Sequence, residues 1–411
     1  MKCSSLESKL AILSDAAKYD ASCASSGSTK RDSRDGKGLG SNTGSGICHA
    51  YAPDGRCISL LKILMTNFCI YDCAYCVNRV SSNIPRARFT VDEVVKLTIE
   101  FYRRNYIEGL FLSSGIIRSP DITMSDMVQI ARKLRHEENF RGYIHLKTIP
   151  DAAPELIAEA GLLADRLSIN VELPTDTAVT QLAPEKNPTQ IRKAMAFVKL
   201  RKQGSAEKTY TGKRPPRFAP AGQSTQVIVG ADASNDATIL GQSTRLYSSY
   251  GLKRVYYSAF SPIPDSSKNL PLIRPPLKRE HRLYQADWLL RFYGFELDEI
   301  TGVTRDGNLD LDFDPKIAWA LAHRGLFPLD VNTASREMLL RVPGFGVKTV
   351  SRILATRRHR TLRYEDLTRM GVSMKKARAF VTAVGWSPAG LTDSADLRAK
   401  FAPPPEQMSL F

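Results

Sequence analysis

The run Asn67-Phe-Cys-Ile-Tyr-Asp-Cys-Ala-Tyr-Cys-Val-Asn-Arg79 decides how the rest of the chain is read. It places Cys69, Cys73 and Cys76 at C-x3-C-x2-C spacing, directly after the apolar, strand-like stretch from Ser59 to Thr66. Gaps of three and two residues let one loop wrap several thiolates around a single inorganic centre, and soft thiolates select iron–sulfur clusters or zinc. A zinc knuckle or a reduced structural trio is the plainer alternative, but zinc sites usually supply a fourth Cys or His at regular spacing. A cubane cluster normally takes four protein ligands, so three cysteines imply an iron left open for a substrate or cofactor.

Outward from this loop the pattern alternates. Apolar strand candidates at 59–67, 109–114, 142–149, 166–173, 225–231 and 254–260 are separated by helical periodicity at 91–105, 124–138, 153–164, 188–203 and 235–250. Six strands alternating with helices predict an α/β fold with a parallel sheet of βα units, best fitted by a partial (β/α)6 barrel. Functional loops of such barrels follow the C-terminal ends of the strands. That rule selects Ser113, Ser114 and Gly115 after the second strand, Lys147 in His145–Pro150, and Asn170 and Glu172 in Ser168–Pro174. Asn170 and Glu172 alternate on one face of an apolar strand, which is costly unless they bind something or satisfy each other. Tyr256, Tyr257 and Phe260 on the last strand either stack on a base or fill the core.

The cysteine spacing, with the aromatic Tyr75 before the last cysteine, resembles the radical S-adenosylmethionine (SAM) superfamily. The resemblance implies three thiolates on a [4Fe–4S] cluster and SAM chelating the fourth iron. One-electron cleavage then gives a 5′-deoxyadenosyl radical that abstracts hydrogen from a substrate. It further implies that Phe111–Ile116 stands where the family has a Gly-Gly-Glu-type motif, turning Ser113, Ser114 and Gly115 to the SAM amino group. This chain departs from the acidic version of that motif. By the same resemblance Lys147 lines the pocket, Asn170 and Glu172 contact the ribose or methionine part, and the strand Gln226–Gly230, with Val229, flanks the adenine.

At 411 residues the chain has room for more than one domain. No stretch approaches a membrane span, and the N-terminus lacks the apolar core of a secretory signal, so a cytoplasmic location is expected. Seven cysteines in such a chain read as ligands or thiols rather than disulfides. Of the four outside the loop (Cys3, Cys23, Cys48 and Cys57), the last three precede the barrel closely enough to converge near its mouth as a second metal site; free thiols are the simpler expectation.

The net charge of +16 is uneven. Val331–Trp386 carries twelve Lys or Arg against three acids, and Lys199–Arg217 seven against one. A polyanionic partner or a solvated surface both fit this asymmetry. The stretch Leu329–Arg352 has the form of a helix-hairpin-helix, with Asn332 or Thr333 capping the first helix and Pro343-Gly-Phe-Gly346 as the hairpin. Gly344, Gly346 and Lys348 then offer N–H groups and charge to a phosphate at a helix N-terminus, with Arg352 on the second helix. A degenerate copy, Tyr364–Arg378, adds Lys375 and Lys376. Paired motifs of this kind bind duplex backbone without reading sequence, although some copies serve as protein scaffolds. The last residues, Gln407-Met-Ser-Leu-Phe411, look like a clamp-docking peptide on a Pro-rich linker, with Gln407, Leu410 and Phe411 as anchors.

The expected organisation is a Cys-containing extension (1–57), a radical SAM partial barrel (58–276), a helical linker (277–327), an all-α helix-hairpin-helix domain (328–390) and a flexible tail (391–411). Almost the whole chain resembles radical SAM proteins of DNA modification or repair that are associated with uracil-DNA-glycosylase-like partners. That resemblance implies DNA, a sliding clamp, such a glycosylase-like protein, and an electron donor such as ferredoxin or flavodoxin as partners. The alternatives are a radical SAM enzyme acting on a small molecule or protein, and a non-catalytic iron–sulfur DNA sensor.

Overall fold

The computed structural model describes residues 5–17, 47–51, 57–207, 215–263 and 267–402. Cys3, Cys23 and the expected clamp-binding residues Gln407, Leu410 and Phe411 lie outside them, as does 208–214 of the basic run.

The first unit comprises residues up to 234 together with 245–275. Its strands are β1 (Ile47–Tyr51), β2 (Cys57–Leu64), β3 (Gly109–Ser113), β4 (Tyr143–Lys147), β5 (Arg166–Ser168), β6 (Gly222–Val229) and β7 (Arg254–Ala259), side by side in chain order. Each neighbouring pair from β2 to β7 is parallel, while β1 runs antiparallel to β2. No ladder joins β7 back to β2 among the described residues, so the sheet is an open half-barrel of the α/β class. The helices of the unit are α1 (Leu6–Ala17), α2 (Val91–Arg103), α3 (Pro120–Arg132), α4 (Pro154–Leu163), α5 (Asp176–Leu182), α6 (Pro188–Ala206) and the latter part of α7 (Asp236–Tyr250).

Local chemistry explains where these elements begin. Thr90 and Glu93 form a capping box that starts α2, and its apolar stripe buries Val94, Leu97 and Ile99. Ser119 caps α3 ahead of Pro120, whose missing N–H is harmless at a first helical position. Leu110, Leu112, Ile144, Leu146 and Leu167 are wholly inaccessible, as parallel strands covered on both faces require. Helix α1 packs against β2, and Lys9 ties it to Glu93 of α2 at 2.8 Å.

Two features of the barrel differ from the sequence expectation. The antiparallel β1 and the seven-residue α5 carry no long periodic pattern and were not anticipated. The fourth parallel strand ends at Ser168 rather than 173; beyond it Glu172 adopts a left-handed backbone (φ 67°) and forms an isolated bridge to Val227.

The second unit comprises 235–244 and the chain from 276 onward. The segment expected as a linker belongs to it, supplying α8 (Leu277–Phe292), α9 (Leu297–Thr301) and α10 (Pro315–Ala322). After these come α11 (Arg336–Arg341), α12 (Val347–Thr356), α13 (Tyr364–Arg369), α14 (Met374–Ala377) and α15 (Leu397–Phe401). A short parallel ladder pairs β8 (Leu329–Asp330) with β9 (Val381–Thr382), so the unit is not purely helical. The cap of α11 is Ser335, whose hydroxyl accepts from the Met338 N–H at 3.2 Å. Asn332 instead clamps the backbone of Leu362, accepting from its N–H at 2.7 Å and donating to its carbonyl at 3.2 Å. Among the described residues no helix is long and apolar enough to cross a membrane.

Candidate active site

The loop after β2 is held from three sides. Met65 N–H donates to the Ser113 carbonyl, Ile70 N–H to Ile116, and Ala74 N–H to Leu182. Asn67 folds the returning strand inward, donating to the Pro85 carbonyl and accepting from the Ala87 N–H, both at 2.8 Å. Arg86 then fastens the loop from behind. Its guanidinium donates to the carbonyl oxygens of Asn67, Asn78, Arg79 and Ser82, the last three at 2.8, 2.6 and 2.8 Å. Gly115 permits the remaining contact, since a Cβ there would stand 2.3 Å from the Phe68 carbonyl oxygen.

This fastening brings Cys69, Cys73 and Cys76 to one cavity of about 180 Å³ at the C-terminal ends of the parallel strands. Cys69 Sγ accepts two backbone N–H groups, from Tyr71 and Ile116, each at 3.5 Å. Burial pushes the Cys73 thiol up to about 12 and the Cys76 thiol up to about 11, with Lys186 opposing both. Thiols buried this way gain charge only when a cation joins them, and a metal deprotonates its thiol ligands outright.

Of the other residues expected at this site, Tyr75, Ser113, Ser114, Gly115, Lys147, Asn170 and Glu172 all line the cavity. Ser114 Oγ donates back to the Gly115 carbonyl at 2.7 Å. Asn170 Nδ2 donates to Gln226 Oε1 at 3.3 Å. Tyr75 is pushed well above the ordinary phenol range by burial and then by the negative charge of Glu172. The side chain of Val229 is wholly inaccessible, and from the same strand the side chains of Gln226 and Ile228 line the cavity.

Three lining residues escaped the sequence reading. Lys186, on the loop after α5, donates to Glu172 Oε1 at 2.5 Å. Burial works against the Lys186 charge, but Glu172 and the nearby thiols outweigh it and the net shift is upward. Tyr71 and Asp151 are hydrogen-bonded to each other at the same cavity; burial raises both, Tyr71 to about 12. A non-glycine residue at positive φ, as Glu172 is, belongs where the surroundings over-determine it, and functional sites are the usual place.

Of the remaining cysteines, Cys3 and Cys23 lie outside the described residues. Cys57 opens β2, at the strand end opposite the cysteine loop, and Cys48 pairs with Leu60 in the middle of that strand. Among the described residues no three His, Cys, Asp or Glu side chains surround a single ion.

In the second unit, the residues expected to meet DNA gather at two glycine turns. Gly344 (φ 83°) lies so close to the second turn that a Cβ would be 2.8 Å from the Ser373 carbonyl oxygen. Gly346 caps α12, and Lys348, Arg352, Lys375 and Lys376 are exposed. Arg352 donates to the Met370 carbonyl at 3.3 Å, and Lys376 pairs with Asp314 at 2.9 Å.

A parallel half-barrel whose first parallel strand runs into a three-cysteine loop, with polar groups gathered at the same strand ends, defines a scaffold for a cluster and an organic cofactor. Residues 63–206 match the family model described as "Radical SAM superfamily", and this part of the chain is a radical SAM domain. Solved structures with partial similarity include HydG, a maturase of the [FeFe]-hydrogenase (13% identity over 55% of this chain and 48% of that one, TM-score 0.43). Others are methylornithine synthase PylB (17% identity, 56% and 60%, TM-score 0.43) and HydG from Carboxydothermus hydrogenoformans (16%, 56% and 49%, TM-score 0.42). The chain thus spans between about half and three fifths of the length of these proteins. No curated protein matches it by sequence.

The superfamily uses a [4Fe–4S] cluster and SAM, and the residues present fit both. The three thiols are gathered at one cavity, Cys73 buried and Cys69 and Cys76 half-buried. Beyond them Ser113–Gly115, Lys147, Asn170 and Glu172 offer the donors and acceptors that an amino acid and a nucleoside need.

Proposed function

We propose that this protein is a radical SAM enzyme that acts on DNA, in modification or repair. The observation that carries the radical SAM part is the convergence of Cys69, Cys73 and Cys76 with Ser113–Gly115, Asn170 and Glu172 on one cavity. When bound, the cluster supplies one electron that cleaves SAM to methionine and a 5′-deoxyadenosyl radical, which takes a hydrogen atom from the substrate. The protein's own groups hold and orient. The three cysteines grip the cluster, Glu172 is fixed by Lys186 for a SAM hydroxyl or ammonium group, and Lys147 meets its carboxylate.

The case for DNA is the second unit. Two short helices on either side of Gly344–Gly346, repeated around Gly371–Ser373, read as paired helix-hairpin-helix motifs. Lys348, Arg352 and Lys375 stand on the exposed side for phosphates. Nonspecific backbone binding then delivers a duplex, and the target nucleotide must be unpaired or flipped to reach a barrel enzyme. Residues 407–411 are proposed to dock on a sliding clamp. A glycosylase-like protein and a ferredoxin- or flavodoxin-type donor complete the proposed partners.

The test is anaerobic turnover of reconstituted protein with SAM and reductant, with and without DNA. 5′-Deoxyadenosine that rises with DNA, together with altered nucleosides in the digest, is expected. Formation indifferent to DNA points to a small-molecule or protein substrate, and its complete absence points to a sensor.

A further inference from the structure

Beside the two glycine turns of the second unit lies a cleft of about 530 Å³ whose aromatic wall has no part in backbone binding. One wall is a face of α8, on which Tyr284 and Trp288 stand one turn apart, continued by Tyr293. Trp288 leaves 50% of its surface exposed, and its neighbour Phe292, at a ring distance of 4.4 Å, leaves 43%. The facing wall is the Gly344–Gly346 backbone with Lys316 and Lys376. Lys316 Nζ donates to the Phe345 carbonyl at 2.6 Å and lies 4.7 Å from the Tyr293 ring centre. Asp314 is the one acid among the lining residues, and its pairing with Lys376 keeps it from meeting an anion alone.

An aromatic pair left open to water forgoes favourable burial, and here it does so across a cleft from the turn that opens the basic helix Val347–Thr356. A flat π-face bordered by the exposed Lys376 ammonium and glycine backbone matches a nucleotide, whose base stacks while its phosphate meets the charge and the backbone N–H groups. Paired bases in a duplex hide their faces in the stack. An unpaired nucleotide presents one, and the volume suits a ligand of that size.

We propose that this cleft takes an unpaired nucleotide of DNA, its base stacked on Trp288 and its phosphate beside the Gly344–Gly346 turn. The inference rests on the DNA-binding reading of the unit and deepens it: the second unit selects DNA that already contains an unpaired base.

The test uses full-length protein and labelled oligonucleotides, fully paired or with one unpaired 2-aminopurine, titrated by anisotropy and by 2-aminopurine fluorescence. The wild type is expected to prefer the unpaired form about tenfold and to quench its fluorescence. Trp288→Ala is expected to abolish both while leaving affinity for paired DNA unchanged. Trp288→Phe, which keeps an aromatic face, is expected to retain most of the preference. Binding of DNA with the preference intact in Trp288→Ala overturns this inference alone. Failure to bind any DNA overturns the DNA reading and the inference with it.

Discussion

Arg86→Ala should loosen the cysteine loop without touching a cysteine. The guanidinium donates to four carbonyl oxygens spread over Asn67–Ser82, on both sides of the three cysteines. A hydrogen bond to a charged group contributes about 1.5–3 kcal/mol, but these four share one donor group that is partly open to water, so their loss is far from additive. A net loss of about 3 kcal/mol for the closed loop is a fair expectation, which corresponds to about a hundredfold fewer loops in the binding arrangement. The assay is iron retention after anaerobic reconstitution, measured against a competing chelator for wild type, Arg86→Lys and Arg86→Ala. Lysine keeps the charge but not the fork that reaches several carbonyls, so it should fall between the other two. Iron held by Arg86→Ala as tightly as by wild type would refute the reasoning, because the loop would then owe its shape to other contacts.

Gly115→Ala drives a methyl group to within 2.3 Å of the Phe68 carbonyl oxygen. It should cost about 1–3 kcal/mol in thermal unfolding of the first unit and lower iron content in the same preparation. Lys186→Met removes the cation paired with the buried Glu172 carboxylate and should cost about 3 kcal/mol in denaturant unfolding; the Lys186→Met, Glu172→Gln double variant should recover most of that loss. Lys316 offers a pH test. Burial lowers it to about 7, with Asp314 opposing and Arg341 and Lys376 adding to the shift. Between about 7 and the ordinary lysine value of 10.5 the unfolded chain binds the extra proton, so stability of the second unit should rise with pH across that window. The wild-type advantage over Lys316→Met should grow from pH 7 to pH 10 in thermal melts, and a constant difference would contradict the shift.

The parts of this fold legible in the sequence are those with a repeating signal. Alternating strands and helices announce a parallel sheet, and the cysteine spacing announces the loop and its ligands. Helix α5 has only seven residues and β1 only five, too short for periodicity to separate from noise. Lys186 and Asp151 escaped notice because a single charged residue in a loop has no pattern of its own; they reach the cavity only once the chain between β4 and α6 closes over it. Arg86 sits just past the motif and looks like any surface arginine until its four carbonyl partners are visible. For Val229 the expectation concerned the strand's backbone, and side-chain direction is a separate matter. Side chains alternate along a strand, so Gln226 and Ile228 reach the cavity while Val229 faces the other way. The segment 277–327 is helical as expected, and its helices α8, α9 and α10 bury apolar residues such as Leu283, Leu289, Ile300 and Trp319 within the second unit.

The central claim is that Cys69, Cys73 and Cys76 hold a cluster with one iron open to SAM. Electron–nuclear double resonance on the reduced, reconstituted protein, with SAM labelled in its carboxylate by a magnetic oxygen isotope, measures this directly. The account predicts a hyperfine coupling between the label and the cluster. A cluster spectrum that is unaltered by SAM and shows no such coupling would contradict it.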